Sequence, residues 1–112
     1  MVIIEQRYGN VLVEIIDIDR ATLTEAGYLK EALSKGIEEG LKKVVVDLSK
    51  CEFVDSTFLG VLVNALKKVA KEKGDMKLMG FKPGVRSMFE LTRLFRVFDT
   101  YATLEEAVES FQ

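Results

Sequence analysis

The stretch KKVVVDLSKCEFVDSTFLGVL, residues 42–62, contains the two elements that decide the fold. Residues 42–49 are a continuous apolar run bounded by charge, a pattern typical of a central strand covered on both faces of a sheet. Residues 56–73 have the apolar spacing of a helix, which Gly74 is expected to end. The junction between the two elements, residues 55–57, is polar. A buried strand followed closely by a helix predicts one unit of an α/β fold.

The sequence before this stretch predicts an antiparallel hairpin. Residues 2–8 and 11–18 are rich in Val and Ile, and the pair Gly9-Asn10 separates them. Two β-prone segments on either side of such a pair indicate strands joined by a tight turn. We therefore expect the hairpin to add an antiparallel edge to the sheet.

Capping boxes mark the starts of two helices. Thr22 with Glu25, and Thr103 with Glu106, have the spacing at which a hydroxyl and a carboxylate each satisfy a free backbone N–H group. The first of these helices is expected to run to about Glu39, and the second is expected to close the chain.

Two strands and a helix complete the pattern. Residues 75–81 and 96–101 are expected to be strands, and Pro83 can occupy the first turn of the helix between them. The order β-β-α-β-α-β-α-β-α over residues 1–112 predicts a single α/β domain. We expect a mostly parallel central sheet, an N-terminal antiparallel hairpin and about four helices.

The composition excludes several kinds of function. The chain has no His, so Ser-His-Asp, Cys-His and His-containing zinc sites cannot be built within it, and we expect neither catalysis nor a cofactor or metal. The net charge is −2 without a basic stripe, and no segment is apolar enough to span a bilayer, so neither nucleic acid nor membrane is an expected partner. The start lacks a signal-peptide pattern and Cys51 is the only cysteine, which predicts a cytoplasmic protein.

The polar junction has two compatible interpretations. Asp55 or Ser56 can be an ordinary N-cap, because these residue types satisfy the free N–H groups at a helix start. The same N–H groups and the positive end of the helix dipole also stabilise a phosphate. Phosphorylation at Ser56 would add about −1.5 to −2 charges and could remove a partner that binds over this surface.

A helical wheel divides the second helix into a core face and a polar face. The residues expected on the core face are Phe58, Leu59, Leu62, Val63, Leu66, Val69 and Ala70. The residues expected on the opposite face are Thr57, Asn64, Lys68 and Lys71, with Val61 partly exposed among them. Two interpretations stay open for this face. Either it is simply solvated, or it carries a docking strip for a partner protein that consists of Thr57, Val61, Asn64 and Lys68.

The same stretch resembles the core of the STAS domain family, whose best-known small single-domain members are bacterial anti-sigma factor antagonists. In that family an apolar strand ends in Asp-Leu, a short connector follows, and Asp-Ser-[Ser/Thr]-x-Leu-Gly opens a helix. Asp47-Leu48 and residues 55–60 match this pattern, and residues 75–108 resemble the second half of the family. The resemblance implies that Ser56 is a phosphoacceptor. It also implies that the partners are an anti-sigma factor with serine kinase activity and a phosphatase.

The chain departs from the family pattern at two places. Phe58 stands where the family usually has Gly, beside the acceptor, where its ring could pack into the core or meet a partner. Residues 19–22 stand where the family often has Gly-x-Leu-Asp, with Thr22 at the Asp position. Asp55 is expected to hold the turn and could contact the kinase, with Thr57 as its flank.

Other interpretations remain open at this point. A receiver domain would use Asp47 as a phosphate acceptor with Mg²⁺ held by Asp17 and Asp19, but the hairpin at the start argues against that topology. A STAS scaffold or sensor module that works without phosphorylation is the other alternative. Phe58 favours it, because a bulky ring beside the acceptor alters the usual site and could narrow the access of a kinase. Hydrolase chemistry at Ser56 is not expected, because both His and the Gly-x-Ser-x-Gly pattern are absent. The pattern leaves open whether the chain forms a homodimer.

Overall fold

Five strands form a central sheet, and two short strands form a second one. The structure is a computed structural model and describes residues 2–112. Its strands are β1 (Ile3–Tyr8), β2 (Val11–Ile16), β3 (Arg20–Ala21), β4 (Lys43–Asp47), β5 (Phe53–Val54), β6 (Asp75–Met79) and β7 (Asp99–Tyr101). Its helices are α1 (Leu23–Glu38), α2 (Ser56–Lys71), α3 (Pro83–Leu91) and α4 (Leu104–Glu109).

The central sheet has the strand order β1-β2-β4-β6-β7. The β1–β2 pair is antiparallel, and the β2–β4, β4–β6 and β6–β7 pairs are parallel. This arrangement confirms the predicted α/β fold, with its mostly parallel sheet, its N-terminal antiparallel hairpin and its four helices. No helix among residues 2–112 is long and apolar enough to cross a membrane.

Strand β4 is covered on both faces, as its apolar run predicted. Val44 and Val46 belong to the larger core cluster, which α1, α2 and α3 cover, and Val45 belongs to a smaller cluster. Ala107 of α4 contributes to that smaller cluster on the other face of the sheet. Successive strand residues point to opposite faces, so an uninterrupted Val run is needed where both faces are covered.

The capping box begins α1 as predicted, whereas at α4 only the Thr103 half of the predicted box forms. At α1, Glu25 Oε1 accepts hydrogen bonds from the Thr22 N–H group at 2.8 Å and from the Thr22 hydroxyl at 3.0 Å. At α4, the Thr103 hydroxyl accepts a hydrogen bond from the Glu106 N–H group at 3.2 Å. These bonds satisfy N–H groups that have no partner within the helix.

Helix α2 follows the predicted wheel with one exchange. Phe58, Leu59, Leu62 and Val69 are buried, whereas Val63 and Leu66 are only partly buried. The placement of Ala70 on the core face is wrong, because Ala70 is exposed near the end of the helix. Ala65 is buried in its place, since it lies three residues after Leu62 and four before Val69, on the line through the centre of the core face.

The last predicted strand is shorter than expected. Residues 96–101 were expected to be a strand, but Leu94–Arg96 form a 3₁₀ turn and β7 begins only at Asp99. Arg93 enters the turn with a left-handed φ of 60°, and Val97 is exposed. The apolar residues before β7 therefore do not alternate along a strand, and Phe98 enters the core from the connecting segment.

The second sheet, β3 with β5, was not expected from the sequence. The two strands are parallel and pair Arg20 with Phe53 and Ala21 with Val54. The Arg20 guanidinium also lies 4.4 Å from the centre of the Phe53 ring. Because β3 precedes α1 and β5 precedes α2, this pairing places the starts of the two helices side by side.

Candidate functional site

Asp55 is the N-cap of α2. Of the two candidates that the sequence offered for this role, Asp55 and Ser56, the structure therefore selects Asp55. Its backbone is extended, with φ −100° and ψ 175°, and its Oδ1 accepts a hydrogen bond from the Phe58 N–H group at 2.8 Å. Its carbonyl oxygen accepts the next bond, from the Leu59 N–H group at 3.1 Å. A carboxylate at this position satisfies a free donor and interacts favourably with the helix dipole.

The second carboxylate oxygen of Asp55 reaches the other helix. Asp55 Oδ2 accepts a hydrogen bond from the backbone N–H group of Leu23, the first residue of α1, at 3.1 Å. The Asp55 N–H group itself donates to the Ala21 carbonyl at 3.1 Å. One aspartate thus caps both helix starts and fixes them relative to each other.

A second carboxylate lies at the start of α1. The hydrogen bond from the Thr22 backbone N–H group is the main reason why the pKa of Glu25 is below its usual value. Glu25 is therefore ionised at neutral pH. The negative charge of the nearby Asp55 opposes this effect and slightly raises the pKa of Glu25. The paired helix starts already hold two negative groups that neutralise their free donors.

Asp47 and Cys51, which lie between the middle of β4 and the start of α2, both have structural positions. Asp47 Oδ1 accepts a hydrogen bond from the Ser49 N–H group at 2.8 Å, so Asp47 caps a loop. Cys51 is buried, and burial is the main reason why its pKa rises to about 12. Within residues 2–112, no three His, Cys, Asp or Glu side chains come together as a metal site requires. The acidic cluster of a receiver domain is therefore not formed there.

Ser56 and Thr57 are exposed at the first two positions of α2. Their N–H groups precede the first bond within the helix, so they lie at its electropositive end. Leu23 of the neighbouring helix start is also exposed, with 70% of its surface accessible. The sequence analysis missed Leu23, although an apolar residue directly after the Thr22 cap was a signal that it could face a partner.

Phe58 does not belong to this exposed surface. Its side chain is fully buried, with 0% of its surface accessible, and lies in the main core cluster. Its inclusion among the partner-binding residues is corrected accordingly, because position 58 is on the core face of α2. What Phe58 supplies at the junction is its backbone N–H group, which Asp55 accepts.

Three residues of the predicted docking strip line a groove between α1 and α2. Val61, Asn64 and Lys68 are part of its α2 wall, while Thr57 lies outside it, nearer the helix start. The groove has a volume of about 460 Å³. Its other lining residues are Lys30, Leu33, Ser34, Ile37, Ala65, Lys67 and Lys71. Four lysines and no acidic residue line the groove, so its charge is positive. The sequence alone did not predict the α1 side of the groove, because that side depends on how the two helices pack.

Comparison with known proteins identifies the family. A model of the STAS domain matches residues 8–107. A Thermotoga neapolitana protein provisionally described as an anti-sigma factor antagonist is 34% identical over 97 residues, 87% of this chain and 82% of the relative.

Solved structures agree with this assignment. A Thermotoga maritima protein with the same provisional description superposes with a TM-score of 0.86 at 27% identity, over 96% of this chain and 92% of that one. An anti-sigma factor antagonist from Mycobacterium paratuberculosis also gives a TM-score of 0.86, at 26% identity over 96% and 91% of the two chains. The chain therefore belongs to the STAS domain family and to the anti-sigma factor antagonists within it.

Proposed function

We propose that this chain binds an anti-sigma factor with serine kinase activity and that phosphorylation of Ser56 weakens the complex. A phosphatase would restore the unphosphorylated form, and the cycle would run in the bacterial cytoplasm. Anti-sigma factor antagonists are regulators and not enzymes, so ATP and Mg²⁺ belong to the kinase. The observation that carries the proposal is the exposed Ser56 hydroxyl at the first position of α2, directly after the Asp55 cap.

The surroundings of Ser56 suit a phosphoacceptor. Asp55 holds the preceding turn through its bonds to Phe58 and Leu23, so a kinase meets a fixed backbone and need not unfold the helix start. Both Asp55 oxygens already accept hydrogen bonds, which makes Asp55 primarily a positioning residue. A phosphate on Ser56 would lie near free helix N–H groups, although it would also add charge beside Asp55.

The surface next to Ser56 suits a partner protein. Leu23 supplies exposed apolar area, and Thr57, Val61, Asn64 and Lys68 continue along the exposed face of α2. Apolar area within a polar rim is a common interface arrangement. A phosphate placed at the edge of such a patch would have to lose water on docking and would repel acidic groups of the partner.

A binding and phosphorylation assay tests the proposal. The chain would be mixed with ATP and each serine kinase anti-sigma factor of its own genome, and the phosphorylated residue would be located by mass spectrometry. We expect phosphate on Ser56, loss of phosphate in Ser56→Ala, and weak kinase binding by Ser56→Asp. Thr57→Ala is the matched control, with one hydroxyl removed at the neighbouring exposed position. Full binding by Ser56→Asp would contradict the proposal.

The alternative of a scaffold or sensor module without phosphorylation lacks a supporting observation. It drew its support from Phe58, whose ring could have narrowed the approach to Ser56. Because that ring is buried in the core, it does not cover the Ser56 hydroxyl. The phosphorylation switch is therefore the function that we propose.

A further inference from the structure

Glu14 breaks the apolar pattern of the core. It lies in β2, between β1 and β4, and its side chain has 0% of its surface accessible. Leu12 and Ile16, which share its face of the strand, are fully buried core residues. Within the part of the chain that the structure describes, no N–H group donates to either carboxylate oxygen of Glu14, and the Glu5 carboxylate is close enough to share a proton with it. A buried polar group without a partner is costly, so the position calls for a reason other than packing.

A cavity opens beside this carboxylate. Glu14 lines a space of about 590 Å³ between the β1–β2 hairpin and α1, a size within the usual range for small-molecule sites. Its apolar walls include Val2 and Ile3 from the start of the chain and Ala32 from α1. Within residues 2–112 no three carboxylates converge as metal ligands must, so the cavity does not suit a bare metal cation, which takes six or more oxygens in the case of Ca²⁺.

The charges that line the cavity are mostly negative. Glu5, the cross-strand neighbour of Glu14, and Glu31 of α1 add two carboxylates, and Lys35 adds one ammonium group. Burial first, and the Glu5 carboxylate second, raise the pKa of Glu14 to about 8. Tyr28 contributes a ring and a hydroxyl at the same side of α1. Glu14 therefore lies in a mostly negative environment, and Arg7, the nearby cation that opposes this pKa shift, forms its ion pairs with Glu5 and Glu39.

We propose that this cavity binds a small organic cation, an amine whose ammonium group pairs with Glu14 and whose apolar body contacts Val2, Ile3 and Ala32. Without a ligand Glu14 keeps its proton up to a pKa of about 8, so binding of the amine at pH 7 would release that proton to the solvent. The ammonium group would then supply hydrogen-bond donors to the two Glu14 oxygens. A charged pair within an apolar cavity is favourable only when both partners are hydrogen-bonded, which an amine allows. The site is separate from Ser56, and the proposal does not depend on the phosphorylation switch.

Three probes of similar shape and different charge test the proposal. Phenethylamine is positive, 2-phenylethanol is neutral and 3-phenylpropionate is negative at pH 7. We expect phenethylamine to bind with a dissociation constant on the order of 1 mM, as suits a fragment of this size, and the other two to bind at least about tenfold more weakly. Amide chemical shifts measured by NMR during the titration should change around Glu14 and Ala32.

Two variants locate the interaction. Glu14→Gln keeps the shape but replaces the carboxyl group by an amide that cannot ionise, and it should weaken phenethylamine binding about tenfold or more. Glu38→Gln removes an exposed carboxylate of α1 that does not line the cavity, and it should bind like the wild type. Equal binding of the amine and the alcohol, full binding by Glu14→Gln, or no saturable binding would overturn the proposal. If Glu14→Gln does not fold, the comparison of the three probes on the wild-type protein still tests whether the cavity prefers a cation.

Discussion

The carboxylate of Asp55 joins the first turn of its own helix to Leu23, which lies 32 residues earlier in the chain. One oxygen accepts from the Phe58 N–H group at 2.8 Å and the other from the Leu23 N–H group at 3.1 Å. The Asp55 side chain therefore links the helix that carries Ser56 to the start of α1, in addition to the β3–β5 pairing.

Replacement of Asp55 should lower stability more than replacement of its exposed neighbours. Asp55→Ala removes a helix cap and the bond to Leu23, so we expect a loss of about 1–3 kcal/mol in the free energy of unfolding. Asp55→Asn keeps one acceptor oxygen and should lose less. Urea denaturation measures both. Ser56→Ala serves as the control and should change stability by less than about 0.5 kcal/mol; equal effects of Asp55→Ala and Ser56→Ala would contradict the double-cap role.

Stability should fall as the pH rises from about 5 to 8 because of Glu14. The folded protein keeps the Glu14 proton until a pKa of about 8, whereas the unfolded chain releases it near 4.5. The folded state binds more protons in this window, so the free energy of unfolding should decrease by at most about 1.4 kcal/mol per pH unit. The chain has no His that titrates in the same range.

The same window can be tested with Glu14→Gln, followed by urea denaturation at several pH values. The variant should show a much flatter pH dependence, because the amide does not titrate. The charged or titratable groups around Glu14 are Glu5 and Arg7 on β1 and Tyr28, Glu31 and Lys35 on α1. They remain in place in the variant. If the free energy of unfolding of Glu14→Gln fell equally steeply with pH, the pH dependence would have to come from another group.

Phe58 should matter for folding and not for the partner surface. Phe58→Ala removes a fully buried ring and should cost about 3–5 kcal/mol, whereas Phe58→Leu keeps most of the volume and should cost less. Thermal or urea denaturation measures the stability. Phe58→Leu should also be phosphorylated at the wild-type rate, and a clear change in that rate with the fold intact would show that the ring reaches the kinase.

Leu23 should contribute to partner binding without contributing to stability. Leu23→Ser removes an apolar side chain that is 70% exposed, so we expect unchanged stability and at least about tenfold weaker binding to the anti-sigma factor. Leu91→Ser is the matched control, because Leu91 is 81% exposed at the end of α3. Binding would be measured by calorimetric titration. Equal effects of the two substitutions would remove Leu23 from the proposed interface.

The sequence predicted the features that depend on local pattern. The run of Val before Asp47 and the Asp-Ser pair at residues 55–56 are contiguous, so strand, helix and cap could be assigned without knowledge of the packing. The hydrogen bond from Leu23 to Asp55 could not be predicted in this way, because it joins segments that are brought together by the β3–β5 pairing. Strands of two residues are too short to show a periodic pattern.

Glu14 was not singled out for a related reason. A lone Glu within an apolar strand is normally expected to face solvent, since strands of an antiparallel hairpin often have one wet face. Only the parallel pairing of β2 with β4 and the covering α1 bury both faces at this position. Residues 96–98 were wrongly included in the last strand because Val97 and Phe98 are β-prone, whereas Arg96 ends a 3₁₀ turn and β7 begins at Asp99.

The most direct test of the central claim compares the affinity of the two forms of the protein for the same anti-sigma factor. The chain would be phosphorylated fully at Ser56 by that kinase and separated from the unphosphorylated form, and each would be titrated into the kinase without ATP turnover. We predict that the phosphorylated form binds at least about tenfold more weakly, because charge is added at the edge of the docked surface. Equal or tighter binding of the phosphorylated form would contradict the account.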